Sequence, residues 1–306
     1  MDRNNRYTLI RKFIFHFIII ALIIATITLG EKCDTLSNKS PYHFKYEKYI
    51  ETKYAKDVSF SHINKSRLGD TKFINIKLNA KNVIEIPIYS SFTDSILKYY
   101  TKYVKPFLTF DRKCDYSLNG IKGHEFYCLH APTWKSDVQW IQVNSRSAYD
   151  SLFPLFEEMG LNDIFRDIID FDEKIIIYGM SFVVRSKVYG HNFHVDFYNT
   201  TNVNGFTLLT PLQDRSSINL AYIDLNGRVQ QYLYKKGVAI VLGENFWHST
   251  DLEANSKRYE ILFCLCFGTD KLRDWTIIKR TAANQGLNYM HPLHGFTNNI
   301  ERTYVI

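Results

Sequence analysis

KIIIYGMSFVVRSKVY, residues 174–189, marks a change of texture in the chain. It opens a series of short runs rich in β-branched and aromatic residues: GFTLLTPL (205–212), SINLAYIDL (217–225), RVQQYLY (228–234), GVAIVLG (237–243) and RYEILFCLCFG (258–268). Turn formers separate them, notably Asn226-Gly227 and Lys236-Gly237. Many short strands with no helix between them predict a sandwich or barrel over residues 174–270. The fold class is therefore mainly β with flanking helices.

Upstream, residues 71–173 read as an α/β part that packs on this core. FINIKL (73–78) and VIEIPIY (83–89) alternate apolar with polar residues and predict two strands joined through Asn79 to Asn82. Ser91 to Lys105 has helical spacing, with Phe92, Ile96, Tyr99, Tyr100 and Tyr103 on one side, and Pro106 ends it. Further helices are expected from Ser147 to Met159, with Pro154 as a first turn or a break, and from Asn162 to Ile169. CDYSLNGIKGHEFYC (114–128) predicts a hairpin turning near Asn119-Gly120. Cys114 and Cys128, at its ends, are either a disulfide or two core thiols. Cys264 and Cys266 share one strand face and read as core packing.

Residues 31–70 are polar, without a sustained period, and read as a stalk or lead-in. Before them, FIFHFIIIALIIATITLG (13–30) is long enough to span a bilayer core. The tail 1–12 carries Arg3, Arg6, Arg11 and Lys12 and is expected on the cytoplasmic side. The reading favoured is an uncleaved signal-anchor, and a cleaved signal peptide is the rival. Either sends the rest of the chain to the luminal side of the secretory pathway, or outside the cell if cleaved. Residues 271–306 form a C-terminal extension.

The net charge of +7 includes +3 from that tail, and no basic stripe follows, so no nucleic-acid partner is expected. G-x-S-x-G, P-loop and C-x-x-C sequences are absent, which removes the starting residues of several hydrolase, nucleotide-binding and zinc-finger sites.

His194-Val195-Asp196 places an imidazole and a carboxylate two residues apart, on one side of an extended chain. His248, in GENFWHST, follows the strand GVAIVLG, which can carry it back to that pair. Two imidazoles and a carboxylate on one side of a metal leave positions open for a chelating cosubstrate and O₂. Arg258 comes ten residues after His248, and a guanidinium can grip a carboxylate in a bidentate pair.

This order of residues resembles the Fe(II)/2-oxoglutarate dioxygenase superfamily, over roughly residues 174–270. The resemblance implies a double-stranded β-helix, a jelly roll of cupin-like form. It implies that His194, Asp196 and His248 ligate iron and serve catalysis, and that Arg258 binds the distal carboxylate of 2-oxoglutarate. Fe(II), 2-oxoglutarate and O₂ are the implied cofactors and cosubstrates, with ascorbate as a supporting reductant. The implied reaction hydroxylates a C–H bond of a peptide or small organic substrate and releases succinate and CO₂. The sequence Arg258-Tyr259-Glu260 lacks the Ser found two positions on in some members, and no subfamily follows from it. The alternative is a non-catalytic jelly-roll binding module on a membrane anchor.

Tyr178 and Asn219 are further candidates for binding 2-oxoglutarate, as is Tyr222; for each the competing reading is a packed strand residue. Arg185 reads as a solvated strand arginine, with a substrate-facing role as its rival. Trp247 is expected to pack against the His248 ring. His191, His291 with His294, and His124 with Glu125 are expected in loops or at the surface, outside any metal site.

Overall fold

The computed structural model describes residues 55–57, 72–75, 77–108, 115–119, 123–130, 137–197, 204–214, 219–251, 255–285 and 288–298. They belong to one compact unit, Tyr54–Ile306. The expected membrane segment 13–30, Cys33 and Cys114 lie outside the described residues. Among the described residues no helix is long and apolar enough to cross a membrane.

Three short strands come first: β1 (Ala55–Asp57), β2 (Lys72–Asn75) and β3 (Ala80–Lys81). Then follow β4 (Val83–Pro87), helix α1 (Ser90–Tyr103), and strands β5 (Asp115–Asn119), β6 (Glu125–Leu129) and β7 (Gln139–Val143). Helices α2 (Arg146–Glu157) and α3 (Leu161–Phe165) precede the long strand β8 (Ile176–Lys187). The barrel continues through β9 (Gly205–Pro211), β10 (Leu220–Ile223), β11 (Val229–Tyr232), β12 (Val238–Leu242), β13 (His248–Thr250) and β14 (Asn255–Gly268). Helix α4 (Leu272–Gln285) and a hairpin, β15 (Asn288–His291) with β16 (Gly295–Asn298), close the chain.

From β8 onward the chain passes back and forth between two facing sheets, with the consecutive strands β10 and β11 paired in the same one. The large sheet has the order β4-β12-β9-β14-β8-β7-β6-β5. The small sheet has the order β11-β10-β13, and β13 is continued by an antiparallel bridge from His194 to His248. The central large-sheet order β12-β9-β14-β8, facing β11-β10-β13 and the His194 segment, is the double-stranded β-helix. Asp224 shapes the β10–β11 turn: its Oδ1 accepts from the backbone N–H of Asn226 and Arg228. Gly227 there has φ +73°, a left-handed value that suits glycine.

Both faces of the large sheet are covered, which is why its strands read as continuous apolar runs. Phe182 and Val184 of β8, with Phe263 and Leu265 of β14, pack outward against Phe92, Ile96 and Tyr99 of α1 and Leu152 and Phe156 of α2. Val183, Leu262 and Cys264 point inward, against Leu220, Tyr222, Tyr234 and Phe246. Each such large side chain contributes about 1.5–3 kcal/mol by leaving water.

Helix α1 runs close to its expected span and gives way to a 3-10 turn at Lys105–Phe107, where Pro106 lacks the donor to continue it. Helix α2 begins at a Ser145 cap and tolerates Pro154 in its last turn. Sequence reading placed residues 71–173 against the barrel, and the structure goes further: β4 extends one edge of the large sheet and β5, β6 and β7 extend the other. The hairpin expected around Asn119 is β5 with β6. His124, expected at the surface, is buried, and its Nδ1 lies 2.5 Å from the Tyr99 hydroxyl. Cys128, Cys264 and Cys266 are buried thiols.

Candidate metal centre

The triad is built on the bridge that adds the His194 segment to the β13 edge of the small sheet. His194 and His248 exchange both backbone hydrogen bonds, each N–H donating to the other's carbonyl at 3.0 Å. That pairing sets the rings side by side, centroids 4.5 Å apart. Asp196, two residues on, returns to the same side. Its Oδ1 lies 3.7 Å from His194 Nε2 and 3.9 Å from His248 Nε2. One potential ligand atom from each residue falls within 4.8 Å of the others.

Both imidazoles are held alike. His194 Nδ1 lies 2.8 Å from the Asn192 carbonyl, and His248 Nδ1 lies 3.0 Å from the Phe246 carbonyl. With Nδ1–H donating in each, the Nε2 lone pairs are left facing Asp196, the tautomer a metal needs. Burial drives the His248 pKa down to about 4, with the nearby Asp196 charge opposing and His194 assisting. His248 is therefore neutral and able to ligate at physiological pH. Exposure is graded: the His248 side chain is 7% accessible, Asp196 14% and His194 49%, so the set is walled behind and open at the rim.

The surrounding chain explains this placement. Asn245, with φ +54°, donates its N–H to the Phe197 carbonyl and bends the loop into β13. Thr281 of α4 donates to the Asp196 backbone carbonyl, tying the acidic ligand candidate to the C-terminal helix. Trp247, expected against His248, is half-buried. Its neighbour Phe246 is the ring that stacks on His248, at 5.9 Å and 19°. The alternation along an extended chain accounts for this, since Phe246 and His248 share a side and Trp247 takes the other.

Tyr178 is fully buried beside Trp275 of α4, and its hydroxyl donates to the Thr269 carbonyl at 2.6 Å, so it is a packed strand residue. Asn219 uses its backbone carbonyl to accept from Asp251 N–H, and its side-chain Oδ1 is buried without a hydrogen-bond partner among the described residues. Tyr222 lies opposite His248 in register and donates its hydroxyl to the Leu78 carbonyl. Arg258 lies within β14, and its side chain is outside the described residues. His191 sits 3.8 Å from Asp251, apart from the triad, and His291 with His294 lies at the β15–β16 turn. Arg185, read as solvated, is 3% exposed and faces the barrel interior. Strand periodicity could not flag it, because β8 is buried along almost its whole length.

Two imidazole nitrogens and a carboxylate oxygen, converging with one side open, suit a divalent first-row metal such as Fe(II). The neutral His248 and the paired Nδ1–H donations fit that group. No protein-family model matches the chain, and no curated protein matches it. Among solved structures it is similar to a prolyl-4-hydroxylase of Pseudomonas putida: 11% identity, TM-score 0.41, covering 61% of this chain and 92% of that one. It is also similar to SnoN, a non-heme alpha-ketoglutarate-dependent epimerase from nogalamycin biosynthesis: 8% identity, TM-score 0.46, covering 63% and 82%. A third is HygX from Streptomyces hygroscopicus, with nickel and 2-oxoglutarate bound: 13% identity, TM-score 0.37, covering 63% and 85%.

Proposed function

We propose that this protein is a non-haem Fe(II)/2-oxoglutarate-dependent oxygenase that hydroxylates a C–H bond of a peptide or small organic substrate. The observation that carries the reading is the convergence of His194, Asp196 and His248 at the open rim of the β-helix. Fe(II) held there would couple oxidative decarboxylation of 2-oxoglutarate by O₂, giving succinate and CO₂, to insertion of one oxygen atom into the substrate bond. The chain's own contribution is positional. His248 and Asp196 fix the inner side of the site, and His194 leaves the rim accessible to substrate. The Asn192 and Phe246 carbonyls hold both imidazoles in the ligating tautomer. Phe246 and Tyr222 keep water from the inner wall beside His248.

The test is succinate release. The full chain, given Fe(II), 2-oxoglutarate, ascorbate and air, is expected to convert 2-oxoglutarate slowly even without its substrate, and Asp196→Ala is expected to stop it. Release that persists in Asp196→Ala, or none from a folded, metal-loaded wild type, rejects the oxygenase reading.

The apolar run 13–30 with its basic flank supports a further part of this proposal: a single membrane anchor that holds the catalytic domain on the luminal side. Protease protection of the domain in sealed microsomes checks it, and degradation without detergent counts against it.

A further inference from the structure

A second group of ligand-type side chains lies beyond the triad, and the oxygenase chemistry leaves it idle. Asp251 directly follows β13, and its side chain is only 3% accessible. Its Oδ2 nevertheless accepts no hydrogen bond among the described residues. A buried carboxylate oxygen left unpaired costs free energy, which a bound cation would offset. Two more buried, unpaired atoms flank it. Asn219 stands opposite Asp251 in the β10–β13 register, and its carbonyl accepts from Asp251 N–H at 3.0 Å. Its side-chain Oδ1 has no partner among the described residues. Residues directly opposite hold their Cβ atoms about 4.5–5.5 Å apart. On the other side, His191 lies three residues before His194, as Asp251 lies three after its bridge partner His248. His191 Nε2 is buried and unpaired, 3.8 Å from Asp251 Oδ1. Phe193 packs on the His191 ring, centroids 5.0 Å apart. The triad shows the same spacing, with Asp196 Oδ1 at 3.7 and 3.9 Å from its two Nε2 atoms.

We propose that His191, Asp251 and Asn219 form a second cation site, taking an imidazole-seeking divalent metal such as Zn(II) and clamping three neighbouring strand ends. The group draws one residue each from the ends of β10 and β13 and from the His194 segment. Three residues of extended chain, roughly 10 Å, separate it from the triad, so one ion cannot serve both. The clamp falls where the backbone ladder gives way: Asn192 N–H donates to Ser249 Oγ instead of to a carbonyl. An imidazole nitrogen, a carboxylate oxygen and an amide oxygen suit Zn(II), Ni(II) or Cu(II), whereas Ca(II) and Mg(II) take oxygen sets. Water completes the coordination from the His191 side, which is 24% accessible. The Asp251 charge also reaches the buried Arg185 guanidinium, which donates to Thr250 Oγ1. That neighbouring cation offsets part of the carboxylate's attraction, so the imidazole decides which metal binds. Mn(II), the weakest binder in the first-row order, fills the triad with its two imidazoles first. Sequence reading left His191 outside any metal site, because a carboxylate distant in the chain completes it.

The experiment is equilibrium dialysis of the metal-free full chain against low free Zn(II), with bound metal counted by atomic emission. The wild type is expected to hold two equivalents. Asp196→Ala should lose one, His191→Ala the other, and the double variant both. An Asp196→Ala protein that binds no Zn(II) overturns the proposal, as does a double variant that still holds one equivalent. Equimolar Ca(II) that empties the His191-dependent site overturns it too, since an imidazole-led site prefers Zn(II). If His191→Ala does not fold, Asp251→Asn decides, made in the Asp196→Ala background. It keeps the side-chain shape and removes the charge. A loss of remaining Zn(II) affinity of about 10-fold or more supports the assignment, and unchanged affinity overturns it. A wild type whose single equivalent depends on His191 and not on Asp196 removes the oxygenase reading and upholds this site, so the two readings fail separately.

Discussion

His194 and His248 form a closed antiparallel pair, each backbone N–H bonded to the other's carbonyl at 3.0 Å, so the backbone itself sets the two imidazoles side by side. A preorganised site binds metal without refolding the chain around it, and the binding energy appears as added stability. Saturating Mn(II), at about 100 times its Kd, is expected to stabilise the wild type by about 2.7 kcal/mol, or about 5–10 °C in Tm. Asp196→Ala should abolish that shift while leaving the metal-free Tm within about 2 °C, because the side chain keeps partial contact with solvent, at 14% accessible. Differential scanning fluorimetry with and without Mn(II) checks both, and an undiminished shift in Asp196→Ala would count against the triad.

Gly268 and Gly205 pair across β14 and β9. A Cβ on Gly268 would fall 2.0 Å from the Asn204 carbonyl oxygen, which accepts from Thr269 N–H, and 2.9 Å from the Tyr178 hydroxyl. Backbone cannot yield as a side-chain tip can. Gly268→Ala is expected to cost about 2–4 kcal/mol in urea unfolding. Gly179→Ala is the control, since its Cβ would meet the Gln142 amide, at 3.3 Å, a side-chain end that need shift by only a few tenths of an ångström, and should cost less, about 1 kcal/mol. Equal losses in the two variants would refute the close-approach argument.

The barrel was legible because its strands and turns are local signals, and the triad because His-x-Asp and the later His keep their order along the chain. What was not legible depends on pairing. β4 and β7 carry ordinary strand patterns, and only tertiary register sets them against β12 and β8 to extend the large sheet on its two sides. The register shift between Cys266 and Phe267, opposite Gly179 and Ile177, breaks the alternation along β8. Tyr178 consequently packs under Trp275 with its hydroxyl bonded to Thr269, although simple counting could not place it. Phe246 was recoverable: the two-residue period that links His194 to Asp196 also links Phe246 to His248.

Ser145 joins two elements through one hydroxyl. Its Oγ accepts from Ala148 N–H at the start of α2 and from Glu125 N–H at the start of β6. Ser145→Ala leaves both donors without that acceptor and is expected to destabilise the fold by about 1–2 kcal/mol. Ser145→Asp should restore most of that, because a carboxylate caps as well and faces the positive end of α2. Chemical denaturation of the three proteins checks the order, and an aspartate variant weaker than alanine would disprove the capping role.

Asp270 gathers the chain entering β8. Its carboxylate accepts from the backbone N–H of Asp172 and Glu173, each at 2.8 Å, and of Lys174 at 3.0 Å. Burial acts to raise its pKa, but these donations outweigh it and hold the group below the ordinary carboxylate value. With a depressed folded pKa, the unfolded chain binds more protons below about pH 4. The contribution of Asp270 is thus fully present above about pH 4 and is lost as pH falls through the folded value. Asp270→Asn, which keeps the shape but not the charge, should cost about 1–2 kcal/mol at pH 7. The gap from wild type should narrow as pH falls toward the folded pKa. Urea midpoints measured at pH 7 and pH 3 test this, and a gap that widens in acid would contradict the assigned sign.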